Sequence, residues 1–283
     1  LGRQVGADVL VATDPDADRV GVEVLQKDGS YLNLSGNQIG AIMAKYILEA
    51  HKNAGTLPEN AALCKSIVST DLVTKIAESY GATMFNVLTG FKFIAEKIQE
   101  FEEKHNHTYM MGFEESFGYL IKPFVRDKDA IQAVLVVAEL AAYYRSRGLT
   151  LADGIEEIYK EYGYYAEKTI SVTLSGVDGA EQIKAIMAKF RNNAPKEWNA
   201  TAITVVEDFK AQTATAADGT VTNLTTPPSD VLKYTLADGS WIAVRPSGTE
   251  PKIKFYIAVV GETNEESQTK IDNIEAEINA FVK

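Results

Sequence analysis

Three carboxylates stand at alternate positions in Thr13-Asp14-Pro15-Asp16-Ala17-Asp18-Arg19, between two apolar runs at 9–12 and 20–25. Crowding anions in this way is unfavourable: at about 4 Å and an effective dielectric near 20, each pair repels by roughly 4 kcal/mol. A divalent cation removes that repulsion, and an all-oxygen ligand set suits Mg²⁺ or Ca²⁺. The EF-hand pattern does not fit, because Val20 stands where that loop needs Gly and Leu25 where it needs Glu. Three protein ligands leave room for water or a phosphoryl oxygen. A solvated acidic turn would carry the same residues; the position at a strand end favours the cation.

A second cluster, Arg245-Pro246-Ser247-Gly248-Thr249-Glu250-Pro251, joins two strand-like runs. Arginine offers a planar fork of donors, the two hydroxyls add more, and Gly248 lets backbone N–H groups approach an anion. Such a set suits a dianionic phosphate, and Lys254 in the next strand is a further source of charge. It is not a P-loop, since the Gly-Lys-Ser/Thr ending is missing and a strand rather than a helix follows. A well hydrogen-bonded hairpin loop is the alternative.

Between these lie weaker signals. Gly112-Phe113-Glu114-Glu115-Ser116-Phe117-Gly118 sits where an α/β strand ends, and Glu114 and Ser116 can face one side to hydrogen-bond vicinal hydroxyls. Arg126-Asp127-Lys128-Asp129 opens a long helix whose N-terminus favours anions; Lys128 is either a proton-transfer group or a paired surface charge. Thr89-Gly90-Phe91-Lys92 is another glycine-containing loop before a helix, with Lys92 a candidate anion contact. His51, His105 and His107 read as surface residues.

The elements that must position these loops follow from periodicity. The run 7–12 reads as a buried strand. Ser35 and Gln38 have capping-box spacing, and Ile39, Ile42, Met43, Tyr46 and Ile47 recur at helical period. Strand then helix recurs at 62–68 with 71–80, and at 82–87 with 91–101. A strand near 108–111 leads into the 112–118 loop, and a helix is expected over about 128–148. This alternation predicts an α/β domain with a mixed sheet. Past Gly163 the pattern changes: strand 168–174, helix 180–191, a polar stretch 212–230, a hairpin around Ala237-Asp238-Gly239, strand 252–260, and a helix from Thr263 with Glu266 at capping-box spacing. That predicts a smaller α+β domain with an antiparallel sheet. The expected divisions are 1–34, 35–162 and 163–283.

The 283 residues suffice for two domains. A net charge of −11 argues against a nucleic-acid partner, which needs a basic footprint, yet local cationic loops can still hold small phosphates. The sole cysteine, Cys64, lies in an apolar-leaning stretch and reads as a buried thiol in a reducing, cytoplasmic compartment. No apolar run reaches the length of a membrane span, and no signal peptide opens the chain. The chain begins without Met and almost at once in a strand-like run, so a fragment of a longer protein is expected.

Taken in order, the Asp14–Arg19 motif, Thr89-Gly-Phe-Lys92, Gly112-Phe-Glu-Glu-Ser-Phe-Gly118 with Arg126-Asp-Lys-Asp129, and Arg245-Pro-Ser-Gly-Thr-Glu-Pro251 resemble the α-D-phosphohexomutase family over essentially the whole chain. The similarity lies closest to its bacterial-type α-phosphoglucomutase branch. Members have four domains around a cleft, and this chain resembles the end of the second with all of the third and fourth. The resemblance implies that Asp14, Asp16 and Asp18 hold Mg²⁺ and that Arg19 stands beside a phosphoserine. It implies that Thr89, Gly90 and Lys92 belong to a sugar loop, that Glu114 and Ser116 grip sugar hydroxyls, and that Lys128 transfers protons, with Arg126 beside it as a substrate contact. Arg245, Ser247, Gly248 and Thr249 would bind the non-reacting phosphate. Lys254 occupies a position often held by Arg, and loses its bidentate geometry.

The family's phosphoserine lies in a motif like Thr-Ala-Ser-His-Asn-Pro, which no segment here resembles. The expected function is therefore part of an intramolecular phosphotransferase of carbohydrate metabolism, a phosphoprotein when whole. It would interconvert glucose 1-phosphate and glucose 6-phosphate through glucose 1,6-bisphosphate, with the transferring serine on missing N-terminal domains. Glu-Glu-Ser between glycines resembles the glucose-specific branch; a phosphomannomutase or phosphopentomutase relative, or a non-catalytic sugar-phosphate-binding module, is the alternative.

Overall fold

Short apolar strands alternating with amphipathic helices build the first half of the chain, and a meander of strands backed by two helices builds the second. The computed structural model describes residues 1–174, 178–248 and 250–282. Two units form, Leu1–Tyr162 and Gly163–Lys283.

The first unit opens with α1 (Gly2–Val5) and an antiparallel sheet of β1 (Val9–Thr13), β2 (Val20–Leu25) and β3 (Tyr31–Leu34) in that order. There follow α2 (Gly36–Asn53), β4 (Ala61–Ser66), α3 (Leu72–Ser79), β5 (Thr83–Val87), α4 (Phe91–Lys104), β6 (Thr108–Glu114), β7 (Gly118–Leu120), α5 (Ala130–Ser146) and α6 (Leu151–Tyr162). The second sheet runs β5-β4-β6-β7, with β4 parallel to both β5 and β6 and β7 returning antiparallel. Every residue of β4 is buried, as expected of a strand flanked on both sides in a parallel sheet. The ends of β4, β5 and β6 point the same way, so the loops after them share one edge, the usual ligand crevice of such sheets.

Local chemistry sets the helix starts. Ser35 Oγ accepts from Gln38 N at 3.2 Å while Gln38 Oε1 accepts from Ser35 N at 2.9 Å, the reciprocal box that the spacing predicts for α2. Asp129 caps α5 by accepting from the N–H groups of Ile131 and Gln132 at 2.9 and 3.2 Å, a device worth about 0.5–2 kcal/mol. Ile94, Ile98 and Phe101 of α4 bury against Ala62, Cys64 and Val87.

The second unit consists of β8 (Tyr164–Thr173), α7 (Gly179–Asn193), β9 (Glu197–Trp198), β10 (Thr201–Asp208), β11 (Thr213–Ala216), β12 (Val221–Asn223), β13 (Leu232–Leu236), β14 (Trp241–Pro246), β15 (Lys252–Gly261) and α8 (Asn264–Val282). Its antiparallel sheet is ordered β12-β11-β10-β13-β14-β15-β8, with β9 alongside β10. Alternate residues Ile242, Val244, Phe255 and Ile257 form one core with Phe190 of α7 and Ile271, Ile274 and Ile278 of α8. Each such side chain contributes about 1.5–3 kcal/mol on burial. Gly239, at φ 85°, closes the β13–β14 hairpin where Ala237-Asp238-Gly239 predicts a turn.

Some expectations change. The opening run is not a buried strand in this chain: β1 pairs on one side only, and Val11, Ala12 and Thr13 are exposed. Gly112 and Glu114 belong to β6 itself, because their backbones pair with Leu120 and Gly118 of β7. The polar stretch 212–230 contains two short strands, β11 and β12, whose ladder needs no apolar face. His51 and His107 are half-buried rather than exposed; the His107 ring packs at 4.9 Å from Phe85 and 5.1 Å from Phe101. Among the described residues no helix is long and apolar enough to cross a membrane.

Candidate functional site

The acidic loop between β1 and β2 is folded by its own first carboxylate. Asp14 Oδ1 accepts from the N–H groups of Asp18 at 3.2 Å and Arg19 at 3.1 Å, and Ala17 takes a left-handed φ of 55° at the turn. Desolvation pushes the Asp14 carboxyl up, but these N–H donors, the Asp18 side chain and the Arg19 charge together outweigh it and leave the pKa below the ordinary aspartate value. The loop thereby brings together one oxygen each from Asp14, Asp16 and Asp18, all within 4.8 Å of one another. Asp18 Oδ1 is inaccessible and has no hydrogen-bond partner among the described residues. That oxygen, with Arg19 Nε 3.7 Å away but no hydrogen bond, stands beside two further carboxylates and fits a hard divalent cation held by oxygen ligands.

Lys128 reaches the same loop. Its Nζ lies 2.9 Å from Asp18 Oδ2 and 3.1 Å from Asp127 Oδ1, and its pKa is raised: burial works against the charge, but hydrogen bonds to the two carboxylates prevail. The aliphatic stem crosses Gly118, where an added Cβ would lie only 2.2 Å from Lys128 Cδ. Backbone contacts join the acidic loop to the 112–118 segment. Val20 N donates to Phe117 O at 3.1 Å, Arg19 pairs with Gly118 as an antiparallel bridge, and Ala130 N donates to Ala17 O at 3.1 Å. The metal-type loop, the β6–β7 turn and the start of α5 are thus one hydrogen-bonded assembly. Phe117 holds φ 69°, a left-handed conformation uncommon for an aromatic residue and a mark of a turn fixed by its surroundings.

Glu114, at the end of β6, is 6% exposed and its Oε1 accepts from Gly90 N at 2.6 Å, linking it to the loop after β5. Burial pushes its carboxyl above the ordinary range; the Gly90 N–H and the charges of Lys128 and Arg19 oppose this, and neighbouring Glu115 adds to it. Thr89 in the same loop has a buried Oγ1 without a partner among the described residues, and Ser116 is half-buried. Arg19, Lys128, Glu114, Ser116, Thr89 and Gly90 therefore gather around the crevice edge with the three aspartates. Arg126 and Lys92 are not seen in this group. The Arg126 guanidinium pairs with Glu102 at the far end of α4 and with Pro123 O, and exposed Lys92 lies over the Phe93 ring.

A further set of residues escapes sequence reasoning. Glu115 Oε2 accepts from Ser66 Oγ at 3.0 Å and Ser69 Oγ at 3.2 Å, while Glu115 N donates to Ser69 Oγ at 3.1 Å. Beneath them, fully buried Lys65 donates to Ser69 O at 3.1 Å and pairs with Asp71 Oδ1 at 2.8 Å. The available signal was the strand-end position of Ser66, the same rule that draws attention to Gly112–Gly118.

In the second unit, Arg245 lies within β14 rather than in the loop after it, because it pairs with Lys254 of β15. Ser247 N donates to Lys252 O at 2.8 Å and closes the hairpin, Gly248 is exposed, and Thr249 lies outside the described residues. Arg245 and Lys254 are two like charges directly across the ladder, an arrangement that destabilises a sheet unless an anion is shared. Among the described residues neither has a carboxylate at ion-pairing distance. Glu250 is engaged by Lys252 at 2.7 Å, and that contact, with a smaller contribution from the Lys254 charge, holds its carboxyl below the usual range.

Residues 35–162 match the model of the phosphoglucomutase/phosphomannomutase α/β/α domain III, and residues 177–277 that of the phosphoglucomutase/phosphomannomutase C-terminal domain. A phosphoglucomutase of Staphylococcus aureus (strain bovine RF122 / ET3-1) is 36% identical over 283 residues, which is 100% of this chain and 49% of that protein. The chain spans about half the length of the curated relatives it matches. The pp63/parafusin phosphoglucomutase of Paramecium, in an open form, has a TM-score of 0.64 at 20% identity over 97% of this chain and 45% of its own. An Aspergillus fumigatus N-acetylphosphoglucosamine mutase, in complex with GlcNAc-6P and magnesium, has a TM-score of 0.53 at 13% identity over 100% of this chain and 52% of its own.

Proposed function

Because the chain belongs to the phosphoglucomutase/phosphomannomutase family, we propose that it is the C-terminal half of a phosphoglucomutase interconverting glucose 1-phosphate and glucose 6-phosphate. The observation that carries this reading is the junction of the acidic loop with the β6–β7 turn, through Val20 N to Phe117 O and Lys128 to Asp18. It supports a reading in which a cation held by the acidic loop lies near two residues suited to sugar hydroxyls, Glu114 and Ser116.

Asp14, Asp16 and Asp18 would hold Mg²⁺, which when bound neutralises charge on a phosphoryl group. Glu114 and Ser116 accept and share hydrogen bonds with the sugar, and Thr89 and Gly90 close the same edge. Arg245, Ser247, Gly248 and Thr249, with Lys254 beside Arg245, hold the phosphate that is not reacting. The transferred phosphoryl comes from a phosphoserine on the N-terminal half: the sugar hydroxyl oxygen bonds to phosphorus, the serine–phosphorus bond breaks, and the hydroxyl proton passes to a nearby base. Reorientation of the bisphosphate and the reverse step at the other hydroxyl complete the exchange. Lys128, kept protonated by Asp18 and Asp127, supplies positive charge beside the acidic loop and is the proposed proton-transfer group in the donating direction, and Arg19 stabilises the phosphoserine. Such catalysis rests on alignment and charge neutralisation. Buried Cys64 fits a cytoplasmic location.

The test is a mutase assay on the full-length parent and on this chain alone. The parent is expected to turn over glucose 1-phosphate and this chain is not. Absence of turnover by the parent would replace the enzyme with a sugar-phosphate-binding module. Turnover of mannose 1-phosphate in preference to glucose 1-phosphate would move the assignment to a phosphomannomutase.

A further inference from the structure

The geometry points to Glu115 as a positioning residue, locked by the hydroxyls of Ser66 and Ser69 so that Glu114 and Ser116 on either side of it stand where a sugar needs them. This rests on the reading that Glu114 and Ser116 contact the sugar, and it adds three residues that the reading does not use.

Consecutive residues leaving a strand turn to opposite sides. Glu114 turns to Gly90 in the loop after β5, and Glu115 turns to the loop after β4. The two loops grip the end of β6 from both sides. One serine holds both the main chain and the side chain of Glu115: Ser69 Oγ accepts from Glu115 N at 3.1 Å and lies 3.2 Å from Oε2. Ser66 Oγ adds a contact of 3.0 Å to the same oxygen, and the two hydroxyls are 2.8 Å apart. Both serines are 0% exposed; without the carboxylate one hydroxyl can still donate to the other, and the second is left a buried donor without its acceptor.

The loop that presents them is itself fixed. Lys65 Nζ ties Ser69 O and Asp71, and Thr70 N donates to Asn37 Oδ1 at 3.0 Å, at the start of α2. At that same helix start Gly36 lets the backbone of Glu115 approach so closely that an added Cβ would sit 2.0 Å from Glu115 O. Tyr119, just past the turn, donates from its hydroxyl to Gly36 O at 2.8 Å. A polar network this complete around one exposed-edge loop does more than fill space, since apolar side chains would fill it without orienting the carboxylate. Phosphoryl transfer between two ends of one sugar depends on such orientation: a misplacement near 1 Å costs about 100-fold in rate.

The experiment uses the full-length parent with Glu115→Ala, Glu115→Gln, Ser66→Ala and the double variant Ser66→Ala/Ser69→Ala. Glu115→Ala is expected to lower kcat about 10- to 100-fold with KM changed less than about 3-fold, and Glu115→Gln, which keeps an acceptor oxygen, recovers most of the rate. The serine double variant matches Glu115→Ala, and combining all three adds nothing further. Unchanged kcat in Glu115→Ala overturns the inference, as does additive loss in the triple variant. Should Glu115→Ala fail to fold, Ser66→Ala decides: it must lower kcat at least about 3-fold, and wild-type kcat overturns the inference. If the parent shows no mutase turnover, the proposed function falls while the clamp is judged by amide exchange. Exchange at residues 115–117 must speed about 10-fold or more in Ser66→Ala/Ser69→Ala, and unchanged protection overturns it.

Discussion

Lys128 Nζ stands 2.9 Å from Asp18 Oδ2, so the innermost carboxylate of the acidic loop is shared between an ammonium group and any cation the loop takes. Two positive charges competing for one carboxylate oppose each other. Replacing Lys128 by Met keeps the stem that lies over Gly118 and removes the charge. Calorimetry with Mg²⁺ should then show tighter binding by about 1.5- to 5-fold, the range expected for one partly exposed ion pair. Weaker binding would mean that Lys128 organises the loop instead of competing with the metal.

A second expectation concerns Gly36. Its missing Cβ makes room for backbone, not for a yielding side chain, since the nearest atom is Glu115 O at 2.0 Å. Gly36→Ala should cost about 1–3 kcal/mol of stability, the usual range for overpacking. Gly21, whose nearest neighbour to an added Cβ is 4.0 Å away, serves as the control and should tolerate Ala. Thermal denaturation of both variants reads the difference; equal midpoints would show that the Glu115 turn can shift.

What was legible in the sequence was what local spacing decides. Asp14, Asp16 and Asp18 are two residues apart and fold onto one another through a turn closed by Asp14 itself, so no distant partner is needed. The Ser35–Gln38 box and the Gly239 turn are equally local. The Glu115 clamp was not legible, because Ser66 and Ser69 lie 49 and 46 residues away and meet it only when β4 and β6 pair in parallel. Arg126 entered as a substrate contact only through the resemblance, and no local spacing indicated that Glu102, 24 residues away, would take its guanidinium. Composition misled at β11 and β12, where Thr and Ala pair in a ladder that polar sequence does not advertise.

Glu114 should trade stability against binding. Its folded pKa is raised, chiefly by burial, above the ordinary glutamate value of 4.5, so the folded state holds the proton more tightly than the unfolded chain does. That contribution is fully present below pH 4.5 and is lost as pH rises through the raised folded value. At neutral pH the buried charge is therefore a burden. Glu114→Gln keeps an acceptor for Gly90 N and should stabilise the fold by about 0.5–1 kcal/mol at pH 7 while weakening sugar-phosphate binding. Denaturant melts at pH 5 and pH 7 check this: the gain must be larger at pH 7, and a pH-independent effect would mean that Glu114 titrates normally.

Arg245 and Lys254 face each other across β14 and β15 without a carboxylate at ion-pairing distance among the described residues. Two like charges across a ladder cost stability that the nearby Glu250 carboxylate only partly offsets at Lys254, which is the argument for phosphate here. The contribution of each can be separated by geometry, because only arginine offers two parallel donors to one phosphate. Arg245→Met should weaken glucose 6-phosphate binding by the parent about 10- to 100-fold, the equivalent of one charge-assisted contact. Lys254→Met should cost less, and Lys254→Arg should bind at least as tightly as the natural residue. Removing either charge also relieves the cross-strand repulsion, so both Met variants should be no less thermally stable than the natural chain in phosphate-free buffer. If Arg245→Met instead lowers stability and leaves binding unchanged, the pair braces the hairpin and the phosphate site lies elsewhere.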